Sequence, residues 1–209
     1  MTPQATELLR KRLISPKARL SYPYLFVAKK PHDDDDKEDP KFTTALIFEA
    51  GTSLKAMRQA AMDVALSRWT NAADMIRSGK LRWPFRDDPE DVSEKGYPEG
   101  CTFMNTSSKT RPGVVNAMLE VVTDADEAYA GRYVKVSLTA YTYDVKGNKG
   151  VTFGLNNVQL LEHGERLDGR RNPADEFDQE ESAMADLSDM DEEAVEAEGT
   201  DALKDLLDD

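Results

Sequence analysis

Alternating hydrophobic and polar positions recur along most of the chain, and they predict a mainly β protein. Two early segments rich in aromatic and β-branched residues, 19–30 and 41–50, predict an antiparallel pair with a long connection, and Pro23 indicates an edge or a bulge in the first. Further strands are predicted at 101–108, 113–122, 133–145 and 150–162. A glycine-containing turn joins the last two into a hairpin.

One long helix is predicted between the early and late strands, at about 53–78. Hydrophobic residues recur there at helical spacing from Leu54 to Ile76, and Gly79 follows the last of them. Residues 80–100 contain three prolines and show no periodicity, which predicts an irregular loop. Five or six strands with one inserted helix favour a small, strongly curved antiparallel sheet, such as an OB-like barrel.

Composition divides the chain into an N-terminal arm at 1–17, one folded domain at 18–171 and an acidic tail at 172–209. The tail holds too few apolar residues to offset the entropy cost of ordering, so we expect it to be disordered. The net charge of −13 argues against a nucleic-acid ligand, but it is unevenly distributed. Residues 175–209 contain 16 acids and one lysine, whereas residues 1–174 contain 26 basic and 24 acidic residues. The body of the protein is therefore weakly basic.

Several classes of protein are excluded by what the sequence lacks. There is no apolar stretch typical of a signal peptide or a membrane span, so we expect a cytosolic protein without membrane contact. The single cysteine, Cys101, leaves no disulfide and no cysteine-based zinc site, and it is expected to be a small buried side chain. No phosphate-binding glycine loop is present, and both histidines fall in loops. We expect no cofactor and no catalysis.

A metal-dependent nuclease is the remaining enzymatic interpretation. It would use scattered carboxylates, namely Asp33 to Asp36, Asp87, Asp88 and Asp144. Acidic residues in loops are more often solvated charge.

Basic residues interleaved with aromatic residues point to nucleic-acid binding instead. Proteins that hold a single strand without reading its sequence combine a basic groove with aromatic faces on which bases stack. The candidate DNA-binding residues are Arg82, Trp83, Phe85, Arg86, Phe103, Lys109, Arg111, Lys135, Tyr141, Tyr143, Lys146, Lys149 and Phe153. Alternation along 133–145 places Tyr141, Tyr143 and Lys135 together on a polar face, where a core has no use for them.

Other roles for some of these candidates stay open. Trp83 and Phe85 are equally compatible with a plug at one end of the barrel, and Phe103 or Phe153 with a place in the core. Lys109 and Arg111 fit turn positions at the end of a strand.

The acidic tail ends in three leucines, Leu203, Leu206 and Leu207, at a spacing that shares one face of a helical turn. Asp208 and Asp209 at the C-terminal end oppose the helix dipole, so the turn should form only against a basic, apolar pocket on a partner. Two alternatives stay open. The tail only improves solubility, or it makes the chain an acidic interaction module or a DNA mimic.

With these residues laid out, the chain resembles a family of small phage-encoded single-stranded DNA-binding proteins with an OB fold and an acidic tail. The resemblance covers about residues 18–165 and is strongest in the segments SSKTRPGVV (107–115) and YAGRYVKVSLTAYTYDVKGNKGVTFGLNNVQLL (129–161). In plan the chain is also similar to the single-stranded DNA-binding proteins of the T-odd phages, which act at the replication fork and contact polymerase and helicase through the tail.

The resemblance implies a non-catalytic protein that coats single-stranded DNA during replication or recombination in the cytoplasm of a bacterial host. It implies functional roles for Lys109, Arg111 and the late hairpin. It also implies that the tail contacts replication proteins. The net charge of −15 on the tail, beside a weakly basic body, predicts that the tail competes with DNA for the groove. Association into a homo-oligomer stays open.

Overall fold

The chain forms a mainly β structure in the computed structural model, which describes residues 11–30, 39–145 and 147–169. The strands are β1 (Arg12–Ile14), β2 (Ala18–Lys29), β3 (Lys41–Phe48), β4 (Thr102–Ser108), β5 (Gly113–Val115), β6 (Tyr133–Val145) and β7 (Asn148–Leu160). The helices are α1 (Lys55–Arg68), α2 (Ala72–Arg77) and α3 (Pro89–Glu94). Among these residues, none of the helices has the length and apolar character that crossing a membrane requires.

Five strands pair in a closed ring, in the order β6, β2, β3, β4, β7 and back to β6. Four of these pairings are antiparallel, whereas β4 runs parallel to β7. Outside the ring β1 joins β6, and β5 lies beside β7, again parallel. The expected antiparallel sheet of five or six strands is therefore corrected to a mixed sheet of seven.

The parallel pairings arise because β4 and β5 follow one another along the same edge of β7. Thr106 and Ser107 pair with residues 153–154, and Gly113 begins the pairing with residues 157–159. The short link between β4 and β5 keeps the chain running in one direction. The strand β1 was not predicted. It lies inside the predicted N-terminal arm and is too short for alternation to reveal it.

Five strand predictions are confirmed to within two residues, but the segment predicted at 113–122 is a strand only as far as Val115. The side chain of Asn116 ends it. Its Oδ1 accepts hydrogen bonds from the backbone N–H groups of Met118 at 2.9 Å and Glu120 at 3.0 Å, which turns the chain back on itself.

The predicted helix at 53–78 is two helices. Trp69 leaves helical conformation, with φ −130° and ψ 110°, so α1 ends at Arg68 and α2 starts at Ala72. The predicted loop at 80–100 contains α3, whose start combines Pro89 at the first helical position with a capping carboxylate. Asp88 accepts from the backbone N–H of Glu90 at 2.9 Å.

The main hydrophobic core fills the inside of the ring and continues onto α1. Phe48, Leu138 and Phe153 are fully buried in it, and α1 adds buried residues such as Met57 and Ala61. A second, smaller cluster lies on the other face of the sheet and contains Ile47, Val92, Cys101 and Phe103. Burial raises the pKa of the Cys101 thiol, as expected for a small buried side chain.

Candidate nucleic-acid interface

One row of side chains crosses all five ring strands on the side that faces away from the main core. Partners in adjacent antiparallel strands point to the same face. Thr43 pairs with Tyr24 of β2 and with Ser107 of β4, Ser107 pairs with Gly154 of β7, and Gly154 pairs with Thr139 of β6. We call the surface formed by the outward-pointing residues of these five strands the outer face.

The floor of the outer face is made of small side chains. A groove of about 340 Å³ runs over it, and its lining residues are Tyr22, Tyr24, Lys29, Thr43, Thr44, Ala45, Asn105, Thr106, Ser107 and Thr152. Between the tyrosines and Lys29 the lining is almost wholly Thr, Ser, Ala and Asn. Such a floor offers hydrogen-bonding groups while leaving room for flat rings to approach the sheet.

Tyr22 and Tyr24 stand on the β2 side of this groove. Tyr22 is 59% exposed and has a φ of 47°, at a point where the β2–β3 register shifts around Pro23. The ammonium of Lys29 lies 4.7 Å from the centre of the Tyr24 ring, a cation–π contact. Sequence reasoning missed both tyrosines, although the bulge that Pro23 indicated is the feature that turns Tyr22 outward.

Tyr141 and Tyr143 stand on the β6 side of the outer face. The inward positions of β6 from Val134 to Ala140 are buried, which confirms the predicted alternation over that part of the strand. Beyond it, both tyrosines and the intervening Thr142 are half-buried. Each ring lies over a glycine of β7. A β-carbon at Gly150 would stand 2.7 Å from Cε1 of Tyr143, and one at Gly154 would stand 3.4 Å from Cε1 of Tyr141.

Residues 81–86, which we call the strap, close the gap where β4 and β7 separate. The N–H of Arg82 donates to the carbonyl of Lys149 at 2.9 Å, and the N–H of Val151 donates to the carbonyl of Arg82 at 3.0 Å. At the other end, Arg86 and Phe103 exchange two backbone hydrogen bonds of 2.8 and 2.9 Å. The strap therefore bridges the two strands by backbone pairing.

Side chains of the strap alternate between the core and the outer face. Leu81 and Phe85 are buried, whereas Arg82 and Arg86 are exposed. Arg82 pairs with Gly150, the glycine beneath Tyr143, and so it points to the outer face. Both arginines were candidates, and the strap places them at the edge of the groove floor.

Three aromatic candidates have no exposed ring face. Their predicted role as stacking platforms is therefore corrected. Phe85 is 6% exposed and Phe153 is fully buried, because both point inward and pack edge-to-face at 5.8 Å. Phe103 points outward but is only 2% exposed, since Tyr97 packs against its ring at 5.1 Å. Trp83 is half-buried and packs against Phe85 at 5.8 Å. The pair therefore fits the alternative that the sequence left open, in which these two rings plug one end of the sheet.

The basic candidates are placed on different sides of the molecule. Lys135 is exposed on β6 with the same parity as Tyr141, and so it lies on the outer face. Lys149 pairs with Asp144 across the hairpin, on the opposite side from Tyr143, and its ammonium lies 3.8 Å from that carboxylate.

Lys109 and Arg111 follow β4 and reach toward the β2–β3 pair. The ammonium of Lys109 lies 3.0 Å from the carboxylate of Asp39, with both side chains exposed. The guanidinium of Arg111 stacks 5.2 Å from the centre of the Phe26 ring. The remaining candidates, Lys146 and the five tail residues at 203–209, lie outside the described residues.

Tyr97 fixes the end of the outer face nearest α3. Its hydroxyl donates to Oγ of Ser21 at 3.0 Å, and burial raises the pKa of this phenol. Ser21 pairs with Ala45, a residue of the groove floor. The contact therefore ties the second hydrophobic cluster to the groove.

The carboxylates considered as metal ligands have separate structural roles where they are described. Asp87 pairs with Arg58 at 3.1 Å, Asp88 caps α3, and Asp144 lies beside Arg68 and Lys149. Within residues 11–30, 39–145 and 147–169 there is no group of three or more side chains arranged to hold a metal ion. Residues 33–36 fall outside these ranges.

Known structures share this fold. The single-stranded DNA-binding protein of bacteriophage Enc34 in complex with ssDNA matches with a TM-score of 0.59 and 22% identity, covering 75% of this chain and 89% of that one. A C-terminal truncation of the Enc34 protein matches with a TM-score of 0.61 and 20% identity, covering 75% and 88%. The single-stranded DNA-binding protein gp2.5 of bacteriophage T7 matches with a TM-score of 0.54 and 16% identity, covering 92% and 98%.

Sequence comparison identifies the family. No curated protein sequence matches the chain. The profile of the family described as "Enterobacter phage Enc34, ssDNA-binding protein" matches residues 11–188, which is most of the chain and includes both segments that carried the resemblance. The chain therefore belongs to this family of phage single-stranded DNA-binding proteins, which are binding proteins and not enzymes.

Proposed function

We propose that this protein binds single-stranded DNA across its outer face without reading the sequence. The observation that carries the proposal is the floor of small polar and glycine positions, with Tyr22 and Tyr24 on one side and Tyr141 and Tyr143 on the other. Bases stack on aromatic faces whatever their identity, because every base has a π-face. The related Enc34 protein, solved in complex with ssDNA, supports the same ligand here.

Phosphate contacts come from basic side chains around this floor. Arg82, Arg86 and Lys135 are exposed on the outer face, and Lys29 already lies over the Tyr24 ring. Guanidinium and ammonium groups bind phosphate whatever the base, so they add affinity without sequence preference. Lys109 and Arg111 extend the basic border toward β2, where Arg111 stacks on Phe26.

Duplex DNA fits this face poorly. Its bases are stacked on each other and paired, so the tyrosines would have no base face to contact, and only the phosphate contacts would remain. Preferential binding to unpaired strands shifts the equilibrium of a hairpin toward its open form. We propose on this basis that the protein coats and melts single strands during phage replication or recombination, and that its five-stranded ring is an OB fold.

A titration of one sequence in single-stranded and duplex form tests the proposal. We expect the single strand to bind at least tenfold more tightly, and its binding constant to fall steeply as salt rises, because phosphate contacts release counterions. Equal affinity for both forms, or affinity independent of salt, would contradict it. Incubation of the labelled strand with magnesium or manganese checks that the strand stays intact.

The acidic tail belongs to the same proposal as a competitor and a partner contact. With a net charge of −15 over residues 175–209, it is attracted to the basic border that DNA would occupy. Deleting these residues should leave DNA affinity unchanged or raise it, whereas a DNA mimic would lose its activity. Replacing Leu203, Leu206 and Leu207 with alanine should keep DNA affinity and abolish binding to a replication protein such as a polymerase or helicase. Retained binding would reject the role of the leucines.

A further inference from the structure

Three apolar side chains stand out in solvent after β5. Met118, Leu119 and Val121 are 82%, 71% and 77% exposed, three of the four highest values among the large hydrophobic residues described. They fall within four consecutive residues, 118–121, and belong to one turn. A cluster of this kind on a soluble surface marks a contact with another molecule more often than a single exposed side chain does.

The turn that carries these side chains is held in place. The backbone N–H of Asn116 donates to the carbonyl of Glu120 at 2.9 Å, and the side-chain amide of Asn116 donates to Oε2 of Glu120 at 2.7 Å. Val122 returns to the sheet, donating to the carbonyl of Val114 at 2.9 Å. The apolar side chains are therefore presented on a fixed scaffold, which lowers the entropy cost of docking. We call residues 116–122 the knob.

The chain that contains and follows the knob is acidic. Between Arg111 and Arg132 the sequence contains no lysine or arginine. The acids in this interval are Glu120, Asp124, Asp126 and Glu127, all exposed. The knob is thus an apolar and negative surface, and its complement is an apolar and positive one.

Such a complement exists on the opposite edge of the same sheet. A groove of about 280 Å³ lies between β1 and α1, and apart from Lys11, Gln59 and Asp63 its lining is apolar, from Leu13, Ala56, Ala60, Val64 and Ala140. This is room for one or two aliphatic side chains. The two segments that form it, 11–14 and 55–68, contain five basic residues and a single acid. Arg58 and Arg68 are paired with Asp87 and Asp144, which leaves Lys11, Arg12 and Lys55 against Asp63, and the surface stays positive.

The knob and the groove lie at the two ends of one row of strands. Ile14 of β1 pairs with Ser137 of β6, Ser137 pairs with Asn157 of β7, and Asn157 pairs with Gly113 of β5. Three strand spacings, about 14 Å, separate the two edge strands. A molecule with its knob on one edge and a complementary groove on the other is suited to joining a second copy by translation.

We propose that this protein associates head to tail, with Met118 and Leu119 of one copy inserted into the groove between β1 and α1 of the next. The two surfaces differ, so the contact does not close into a pair, and further copies can add in a line. The direction of growth crosses the strands, as does the row of floor residues on the outer face. The next step rests on the proposed function: consecutive copies would align their outer faces along one DNA strand.

Sedimentation velocity of the full-length protein, without DNA, tests the contact. The knob variant is Met118→Ser with Leu119→Ser, and the groove variant is Ala56→Glu, which places a carboxylate at an exposed position of the lining. We expect the average mass of the wild type to rise with concentration above the 23.3 kDa of one chain, and each variant to stay at it. Val27→Ser, at a position 75% exposed elsewhere on the protein, should associate like the wild type.

An equimolar mixture of the two variants gives the sharper result. One intact groove and one intact knob remain, on different copies, so the mixture should form dimers and nothing longer. A wild type that stays monomeric, either variant that still associates, or a mixture that stays monomeric would overturn the proposal.

DNA titrations separate this inference from the proposed function. Both variants should bind an oligonucleotide long enough for one copy with wild-type affinity, and lose cooperativity on a long strand by about tenfold or more. Cooperativity retained by the knob variant would also overturn it. If no form binds DNA while the sedimentation results hold, the contact stands and the proposed function fails.

Discussion

The ring of Tyr143 lies directly over Gly150, so closely that a β-carbon at position 150 would stand 2.7 Å from Cε1 of the ring. The two residues are cross-strand partners in the β6–β7 hairpin. An aromatic ring that covers a glycine in the neighbouring strand fills the space that a side chain would occupy. The absence of a side chain at Gly150 therefore sets the position of the Tyr143 ring on the outer face.

Gly150→Ala should displace the Tyr143 ring and weaken binding to single-stranded DNA. The expected loss is at most the value of one stacked base, about 1–3 kcal/mol. Fluorescence titration with a short oligonucleotide measures it. In a Tyr143→Ala background the same substitution should have little further effect, because the ring that it displaces is gone.

Gly154→Ala serves as the graded control for that experiment. Its β-carbon would meet Tyr141 at 3.4 Å, which the ring can accommodate by a small shift. A loss of affinity larger than that of Gly150→Ala would contradict the placement of the two rings.

Tyr24→Ala should lower DNA affinity by about 1–3 kcal/mol, because it removes a half-buried ring that lines the groove. Phe103→Leu is the matched control at a buried ring. It should cost about 1 kcal/mol of folding stability and leave the DNA affinity of the folded protein unchanged. Binding curves and urea denaturation of both variants give the comparison, and a larger affinity loss for Phe103→Leu would refute the assignment of the floor.

Arg86→Ala should make DNA binding less sensitive to salt. Each phosphate contact to a single strand contributes about 0.7 to the slope of log K against log salt, so the slope should fall by about that amount. Lys149→Ala removes a charge that faces Asp144 on the other side of the hairpin, and the slope should not change. Titrations at several salt concentrations measure both slopes; an equal change in the two variants would argue against a localised site.

The free energy of unfolding should fall at alkaline pH because of the buried phenol of Tyr97. Burial raises the pKa of Tyr97, so the folded protein holds this proton more tightly than the unfolded chain does. The stabilisation is complete below the unfolded pKa of about 10 and is lost as pH rises through the folded-state value. Tyr97→Phe should flatten this alkaline loss, measured by denaturation between about pH 9 and 11. Ser21→Ala keeps the buried phenol and should retain the loss.

The long strands were predictable because their alternation extends over many residues. In β6 burial alternates without a break from Tyr133 to Tyr141, and the pattern placed Tyr141 and Tyr143 on the polar face. The β1 strand has three residues and shows no period. The strand at 113–122 was predicted too long, because the side chain of Asn116 turns a sequence that is otherwise strand-like.

The candidate site was predicted less completely because exposure depends on what else covers a face. Phe103 points outward, as a stacking residue should, yet Tyr97 from the segment after α3 covers it. Tyr22 and Tyr24 were overlooked, since their exposure depends on a bulge whose geometry the sequence only suggested. The strap was singled out for its mixture of aromatic and basic residues, and the structure divides that mixture between the core and the outer face.

The pairing of the strap with β4 and β7 also bears on how the sequence of this family can vary. Direct pairing between those two strands covers only Thr106 with Phe153 and Ser107 with Gly154, so closure of the ring depends on Arg82 and Arg86 as backbone partners. Their side chains face the same groove floor. An insertion or deletion in this segment would therefore open the sheet and remove two cations in one event. We expect the length of the strap to be held constant among relatives even where its residues change.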